Sequence, residues 1–311
     1  MPTAPQFEPT ETAAPLAGAS DRPTALVTGS NGGVGLALAR KLAGDGWRVL
    51  LHGRDERKLD RARADVGAPA ADALRADLAD LGAVRQLAES VREQTGRLDA
   101  LVHNAGLVSP RLRRTAGGVE MTMAVNALAP FVLTEALRPL LERTARDHGG
   151  ARVVTVSSEA HKGGRASAVG REALFGPDDP DSYSSIGAYA QSKLVATAWT
   201  LELARRLPDG VTANACHPGV VRTGVFGGVG GVVGLLAQAF SFLYLPPSKG
   251  AESPYLLAAG PAYATRTGRW VTRGHLRGPH EADPPVRAAS PVFGKAVWDR
   301  LSGLAEADGG D

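Results

Sequence analysis

Tyr189 and Lys193 are the residues whose types and spacing most directly suggest chemistry. They stand four positions apart in the sequence YAQSKLVATAW. On a helix, positions i and i+4 share one face about 5–6 Å apart, so a phenol and an ammonium can point into the same site. Bringing a tyrosine pKa from about 10 to near 7 requires about 4 kcal/mol from nearby positive charge. Such a phenol could exchange protons with a substrate oxygen, although an isolated pair of this kind is more often an aromatic ring resting on a lysine stem.

The composition is that of one large α/β domain. The chain has 311 residues, of which 43% are hydrophobic, and no internal repeat is visible. Residues 1–21 and 301–311 are predicted to be disordered tails, which leaves a single domain over 22–300. The start lacks a basic region followed by an apolar one, and the single cysteine, Cys216, excludes a disulfide framework and a structural zinc site. We expect a cytoplasmic protein without a metal.

Charge and hydropathy bear on two classes of partner. The net charge is only +3, and the densest basic cluster, residues 111–114, has no aromatic neighbours, so we do not expect nucleic acid to bind. Residues 223–248 carry no charge and are long enough to cross a bilayer, but they contain several glycines and lie between segments of one predicted sheet. We therefore predict an apolar flap over a substrate pocket and no transmembrane span, with shallow membrane contact left open.

Apolar runs alternate with helical patterns along the chain. The predicted strands are residues 24–28, 47–53, 73–78, 98–106, 151–158, 210–219 and 268–272. The predicted helices are 34–45, 55–66, one from about residue 80, 118–146, and one that carries Tyr189 and ends at Leu207. Because parallel strands need crossover helices, this order predicts a doubly wound parallel sheet, the Rossmann fold. Ligands bind at the carboxyl ends of such strands, which places the motifs at one edge.

Two strand ends suggest a dinucleotide cofactor. The first strand is followed by TGSNGGVG, in which Gly29, Gly33 and Gly35 could form a tight turn and admit a phosphate to the next helix N-terminus. An ordinary flexible turn is the alternative. At the end of the second strand, a carboxylate selects NAD and an arginine accommodates the extra phosphate of NADP; Arg54 stands there. We predict NADP(H), with NAD(H) left open, and Asp55 is interpreted as a helix N-cap.

The motifs together resemble the single-domain short-chain dehydrogenases/reductases over roughly residues 22–300. The resemblance rests on TGSNGGVG, ADL, HNAG, VNALAPF, VVTVSS, YAQSK and HPGVVRT, which follow one another in the family's order. The segments VVTVSSEAHK, AYAQSKL and HPGVVRT are most similar to the retinol-dehydrogenase-like branch. Glycines at 29, 32 and 35 also fit the extended, sugar-nucleotide branch, but HNAG argues against that branch.

The resemblance implies four catalytic residues. Tyr189 would be the general acid in reduction or the base in oxidation, and Lys193 would lower its pKa and hold the cofactor ribose. Ser158 would hydrogen-bond the substrate oxygen where charge develops. Asn126 would interrupt the regular helix hydrogen bonding and hold a water that relays protons to Lys193. The hydride belongs to the cofactor.

The resemblance also implies a set of cofactor-binding residues along the carboxyl edge of the sheet. Asn104 and Gly106 should line the cofactor, and Thr223 should hold the nicotinamide amide. The whole set is Gly29, Ser30, Asn31, Gly33, Val34, Gly35, Arg54, Asp77, Leu78, Asn104, Ala105, Gly106, Tyr189, Lys193, Pro218, Gly219, Val221 and Thr223.

Two features depart from the family pattern. His103 replaces the usual first asparagine of the HNAG motif and is expected to serve packing. Ser158 and Tyr189 are 31 residues apart, which implies an inserted loop that can shape the pocket. Within it, His161 and Tyr183 are interpreted as ordinary loop residues rather than as substrate contacts. Cys216 and His217 are expected to serve the sixth strand and its turn.

The leading hypothesis is an NADP(H)-dependent oxidoreductase that interconverts a carbonyl and an alcohol on a mostly apolar small molecule. The apolar character of the substrate is inferred from the uncharged flap. The alternatives are an NAD-dependent dehydrogenase of the same family, and a non-catalytic nicotinamide-sensing protein, which would not need a tuned phenol. The resemblance suggests a homodimer or homotetramer through the helices after the fourth and fifth strands, although monomers occur in the same branch.

Overall fold

The computed structural model describes residues 22–67, 71–164, 175–221, 245–274 and 277–307. The strands are β1 Thr24–Val27, β2 Arg48–Gly53, β3 Ala71–Arg75, β4 Ala100–His103, β5 Ala151–Val156, β6 Val211–Cys216, β7 Trp270–Arg273 and β8 Pro279–Ala282. The helices are α1 Gly33–Gly44, α2 Glu56–Val66, α3 Leu81–Gln94, α4 Met121–His148, α5 Ser185–Arg206, α6 Glu252–Ala259 and α7 Pro291–Ala307. Two single-turn helices, Pro247–Gly250 and Val286–Ala289, precede α6 and α7.

One sheet joins all of these strands, in the order β3-β2-β1-β4-β5-β6-β7-β8. Strands β1 to β7 pair in parallel, which confirms the doubly wound sheet predicted from the alternation of elements. Strand β8 was not predicted, and it pairs antiparallel with β7, so the sheet is mostly rather than wholly parallel. The chain leaves β1 in one direction towards β3 and returns to β4 on the other side. The loops after β1 and β4 therefore diverge and leave a crevice at the carboxyl edge.

Apolar side chains of the central strands alternate between the two faces of the sheet, as the two-residue period of a strand requires. In β1, Ala25 and Val27 pack in the cluster that includes α1, α2 and α6, whereas Leu26 packs in the cluster of α3, α4, α5 and α7. Trp199 of α5 is fully buried in the second cluster. The two layers hold the strand ends, and hence the motifs after them, in fixed positions.

The helix N-termini differ in one way that bears on ligand binding. Asp55, Asp80 and Ser184 each accept a hydrogen bond from a backbone N–H in the first turn of α2, α3 and α5. The predicted cap at Asp55 is thereby confirmed. Helix α1 follows Gly32, and none of the described side chains caps its first turn. Its leading N–H groups and the positive end of its dipole therefore face the crevice without a side-chain acceptor.

The C-terminal boundary expected from the sequence is wrong. Helix α7 continues to Ala307 instead of giving way to a tail at residue 301. Val297, Trp298 and Leu301 of this helix are buried, at the spacing of one helical face. Their burial against α4 and α5 explains why the helix continues. Residues 1–21, most of the predicted flap at 223–248, and residues 308–311 lie outside the described residues.

Within the described ranges, α4 is long and apolar enough to cross a membrane by length and composition. However, 78% of its most apolar window is buried inside the protein. The core helix of a globular domain has the same properties, so the apolar length of α4 is explained by its position between the sheet and its neighbouring helices.

Candidate active site

The four predicted catalytic residues come from three elements that meet at the carboxyl edge of β5. Ser158 lies two residues after β5, and Tyr189 and Lys193 lie in the first turns of α5. Asn126 lies in α4, and a Cβ on Gly106 would lie 3.2 Å from its Oδ1 and 3.5 Å from Lys193 Nζ. The structure therefore brings together the residues that the sequence placed far apart.

Ser158 and Tyr189 are linked by a hydrogen bond that acts on the phenol. Burial raises the pKa of Tyr189 above its ordinary value of 10, and the hydrogen bond with Ser158 partly offsets that increase. Ser158 Oγ also accepts a hydrogen bond from the Ala160 backbone N–H at 3.2 Å, which leaves the serine hydroxyl proton available for donation. The two hydroxyl groups together can bind and protonate one substrate oxygen.

Lys193 lies close to the phenol but does not contact its hydroxyl through a described hydrogen bond. The ammonium nitrogen is 5.7 Å from the Tyr189 ring centroid and donates to the Val156 carbonyl at 2.8 Å. The side chain is 5% exposed, and burial lowers the pKa of Lys193 to about 8. In the protein alone, desolvation raises the pKa of Tyr189, and the lowering of that pKa by Lys193 stays a prediction.

Asn126 occupies an irregular segment of α4, as predicted. Residues Ala124–Leu128 form a π-helical segment, in which the Ala129 N–H bonds to the Ala124 carbonyl five residues earlier. The Asn126 side chain holds the loop after β4, since its Oδ1 accepts from Leu107 N at 2.8 Å and its Nδ2 donates to Leu107 O at 3.0 Å. A π-helical turn shifts the carbonyl pattern of a helix and so can expose a backbone acceptor to a water.

The glycine-rich turn after β1 approaches the end of β4 very closely. Gly29 has φ +65°, and a Cβ there would lie 2.8 Å from the Ala105 Cα. A Cβ on Gly35 would lie 2.5 Å from the Gly29 carbonyl oxygen. Asn104 Nδ2 donates to the Thr28 and Gly29 carbonyls at 2.9 and 3.2 Å, which ties the two strand ends together. Glycine is therefore required at both positions by sterics, and the turn packs tightly against the end of β4.

The end of β2 presents a cation rather than a free carboxylate. Arg54 is exposed, whereas Asp55 Oδ1 is occupied by the Lys58 backbone N–H at 3.0 Å. Arg75, at the end of β3, donates from Nε to the Arg54 carbonyl at 3.3 Å. Asp77 is exposed and accepts from the Ala79 N–H. Arg75 also pairs with Glu56, with 3.7 Å between Nη1 and Oε2.

The remaining predicted cofactor residues also lie at the carboxyl edge. Ser30 is buried, and its Oγ accepts from the His52 N–H at 2.9 Å, so its side chain is engaged within the protein. Gly219 has φ +84°, and Val221 forms a parallel bridge with Leu245. Thr223 lies outside the described residues. The other members of the predicted set at this edge are Asn31, Gly33, Val34, Leu78, Gly106 and Pro218.

Three histidines occupy structural positions near the site. His103 contacts Thr134 Oγ1 from Nε2 at 2.7 Å and meets Trp199 edge to face, and burial lowers its pKa to about 3. This agrees with the packing role predicted for it. Burial also lowers the pKa of His217 to about 4, and its Nδ1 accepts from the Glu159 N–H at 3.4 Å. The third is His161, which belongs to the loop after β5 and has a buried side chain.

The comparisons with known proteins agree with this geometry. Residues 23–170 match the family model described as short chain dehydrogenase. Mouse polyprenol dehydrogenase is 35% identical over 92% of this chain and 85% of its own length. Mouse retinol dehydrogenase 13 is 35% identical with the same coverage of both chains. The chain belongs to the short-chain dehydrogenase/reductase family. The crystal structure of an uncharacterised protein from Mycobacterium paratuberculosis superimposes with a TM-score of 0.73 at 30% identity, covering 93% of this chain and 97% of that one.

As a member of the retinol-dehydrogenase-like branch of the short-chain dehydrogenases/reductases, this chain is an NAD(P)-dependent oxidoreductase acting on an alcohol/carbonyl pair. The described residues fit a dinucleotide. Among the described residues no side chain caps the first turn of α1, and the space where a Cβ on Gly32 would stand is open, so a pyrophosphate can approach the leading N–H groups. Lys193 Nζ has further donor capacity beyond its hydrogen bond to Val156 for a ribose hydroxyl.

One residue near the expected cofactor site of this short-chain dehydrogenase/reductase was not predicted from the sequence. His52, the residue before Gly53, is buried, and its Nδ1 accepts a hydrogen bond from the Gly29 N–H at 3.2 Å. Burial lowers its pKa to about 4, which keeps the ring neutral and able to accept. Its place directly before the Gly53–Arg54 pair was the available signal. The hydrogen-bond partner, 23 residues away, becomes visible only in three dimensions.

Proposed function

We propose that this protein is an NADP(H)-dependent oxidoreductase that interconverts a carbonyl and an alcohol on a mostly apolar small molecule. The observation that carries the proposal is the meeting of Ser158, Tyr189 and Lys193 at one strand end, beside a glycine turn suited to a dinucleotide. When bound, the cofactor supplies or accepts the hydride.

Ser158 and Tyr189 handle the substrate oxygen and its proton. Ser158 Oγ is oriented by the Ala160 N–H and donates to the oxygen on which charge develops. Tyr189 Oη gives its proton to that oxygen in reduction and takes it back in oxidation. Because burial raises the pKa of Tyr189, the phenol is protonated at neutral pH in the protein alone, which suits a proton donor.

Lys193 and Asn126 supply positive charge and a proton path. The Lys193 ammonium, held by the Val156 carbonyl, stabilises the phenolate that forms when Tyr189 gives up its proton. An oxidised nicotinamide would add a second positive charge nearby. Asn126 is fixed to both polar groups of the Leu107 backbone, and its π-helical segment would hold a water that relays protons to Lys193.

The preference for NADP(H) is supported by the chemistry at the end of β2. The extra phosphate of NADP needs a cation, and the exposed Arg54 lies there. NAD needs a carboxylate for its ribose hydroxyls, and the adjacent Asp55 is already engaged as a helix cap. A guanidinium pairs well with phosphate because it offers several N–H donors in one plane.

An apolar substrate is supported by the relatives and by the residues around the site. The names of the two mouse relatives describe dehydrogenases of polyprenol and retinol. In this chain, Ile186 in the first turn of α5 and Val220 after β6 are 52% and 59% exposed, beside the ends of the elements that carry the site. Large exposed apolar side chains at the mouth of a site favour an apolar ligand.

The proposal is tested by following the absorbance of reduced nicotinamide against a panel of lipophilic aldehydes, ketones and quinones. Turnover with NADPH, and weaker turnover with NADH, is the expected result. Tight binding of NADPH with no oxidation by any compound would instead support a nicotinamide-sensing protein. Turnover with NADH in preference to NADPH would support the NAD-dependent alternative. The cytoplasmic location and the homo-oligomer stay predictions.

A further inference from the structure

His161 holds the backbone of the serine that the proposed function assigns to the substrate oxygen. It lies on a 3₁₀ turn, Glu159–Gly163, that begins directly after Ser158. The His161 backbone N–H donates to the Ser158 carbonyl at 3.1 Å, and the ring Nδ1 lies 2.5 Å from the same oxygen. Because a carbonyl oxygen only accepts hydrogen bonds, the Nδ1 atom must carry a proton.

The imidazole ring is itself fixed from the side of the sheet. It meets the ring of Trp270 edge to face, with centroids 5.0 Å apart and planes at 84°. Trp270 belongs to β7 and is buried, and His161 is only 3% exposed. The contact joins the turn after β5 to a strand two positions away in the sheet. The turn is therefore held by the rigid core as well as by its own hydrogen bonds.

The protonation state of the ring follows from its surroundings. Burial lowers the pKa of His161, so the ring is neutral and carries one proton, which the contact with Ser158 places on Nδ1. Among the residues that the structure describes, Nε2 has no hydrogen-bond partner. Within the described residues, the bond to Ser158 is the hydrogen bond that orients the imidazole.

That bond acts on the Ser158 side chain through the turn that follows it. Ser158 has φ −156° and ψ 150°, and its Oγ accepts from the Ala160 N–H of the same turn. The carbonyl of Ser158 points to His161 while the hydroxyl faces Tyr189. The two bonds from His161 to the Ser158 carbonyl fix the turn that follows, and that turn places the Ala160 N–H which holds the Ser158 Oγ.

We propose that His161 is a positioning residue, which donates from Nδ1 to the Ser158 carbonyl and thereby keeps the serine hydroxyl directed at the substrate oxygen. This inference rests on the proposed function, because it needs Ser158 to bind the reacting oxygen. It assigns His161 a role beyond that of an ordinary loop residue.

Two shape-matched substitutions in the full-length protein separate positioning from packing. Leucine and asparagine have the same branched outline, but only the Nδ2 of asparagine can donate where the histidine Nδ1 does. We expect His161→Leu to lower kcat by about 10- to 100-fold with little change in KM, since small displacements of a group that binds the reacting atoms cost this much. We expect His161→Asn to stay within about threefold of the wild type, because it restores the bond. The assay uses NADPH and the best substrate of the carbonyl panel.

The outcomes distinguish this inference from the proposed function. Equal losses in both variants, or a wild-type kcat in His161→Leu, would overturn the positioning role. If Ser158→Ala kept full turnover, the proposed role of the serine would fail first. If Ser158→Ala lost turnover and His161→Leu did not, only the inference about His161 would fail. Fluorescence titration with NADPH should give the same affinity in both His161 variants.

A measurement on the wild-type protein tests the hydrogen bond on which the proposal depends, even if the variants do not fold. Nitrogen-15 NMR of labelled histidine reports which ring nitrogen carries the proton. The structure predicts a neutral His161 with the proton on Nδ1 at neutral pH. A ring protonated on Nε2 alone would overturn the proposal.

Discussion

Replacing Lys193 by methionine should make the cofactor-free protein more stable while removing its activity. The pKa of Lys193 falls from its ordinary value of 10.5 to about 8 because the ammonium is buried. That difference corresponds to about 3 kcal/mol, which the fold loses by burying the charge. Methionine keeps the length of the side chain but gives up the hydrogen bond to the Val156 carbonyl, worth about 1 kcal/mol. The variant should therefore gain about 2 kcal/mol at pH 7.

The free energy that the fold loses by burying the Lys193 ammonium depends on pH. Because the folded pKa lies below the unfolded one, the cost is fully present below about pH 8 and is relieved as pH rises towards 10.5. Between pH 7 and about 9.5, the wild type should gain about 2 kcal/mol relative to Lys193→Met, so that the two proteins become nearly equal in stability.

Urea denaturation of both proteins at the two pH values measures this difference. Lys295→Met is a matched control, because its side chain is 66% exposed. That variant should change the free energy of unfolding by under about 0.5 kcal/mol, and equally at both pH values. A Lys193→Met protein that is less stable than the wild type at pH 7, or a difference that does not depend on pH, would refute the reasoning.

Further predictions concern the cofactor and the inserted loop. Arg54→Ala should reduce the preference for adenosine 2′,5′-bisphosphate over AMP in calorimetry by about tenfold or more, because charged hydrogen bonds contribute about 1.5–3 kcal/mol, and an unchanged preference would contradict the assignment of NADP. Asp55→Ala should keep that preference and lose about 1 kcal/mol of stability with the helix cap. Gly29→Ala should abolish binding of both nucleotides, since its φ is +65°; retained binding would show that the turn is not the cradle. Tyr183→Phe removes the hydroxyl that donates to buried Glu120 at 2.8 Å and should lower the free energy of unfolding by about 1–2 kcal/mol in urea, and no loss would show that this bond does not hold the loop.

The order of the elements and the position of the site could be predicted because both depend on local patterns. Buried parallel strands are continuous apolar runs, and the residues after them must meet at one edge. Asp55 is predicted as a cap from its place before a helical pattern, and the structure has it there. The irregular helix around Asn126 could be predicted only from the family resemblance.

What could not be predicted depends on contacts between distant parts of the chain. Strand β8 has only four residues and no apolar alternation, and it forms because β7 offers it an edge. The direction of the Tyr189 pKa follows from how deeply the phenol is buried, which no spacing reveals. The spacing of Tyr189 and Lys193 correctly predicted that the two side chains lie close together. The direction in which the Tyr189 pKa shifts, however, is set by the burial of the phenol.

The central claim is that the Tyr189 hydroxyl passes the proton while hydride moves. Its most direct test is the rate of NADPH oxidation by Tyr189→Phe, with Tyr255→Phe as the control, since Tyr255 lies on α6 beside Asp45 at the opposite end of α1 from the glycine turn. The account predicts that Tyr189→Phe loses about 10²- to 10⁴-fold in kcat while NADPH affinity and the control stay near wild type. A Tyr189→Phe protein with a wild-type kcat across the accessible pH range would contradict it.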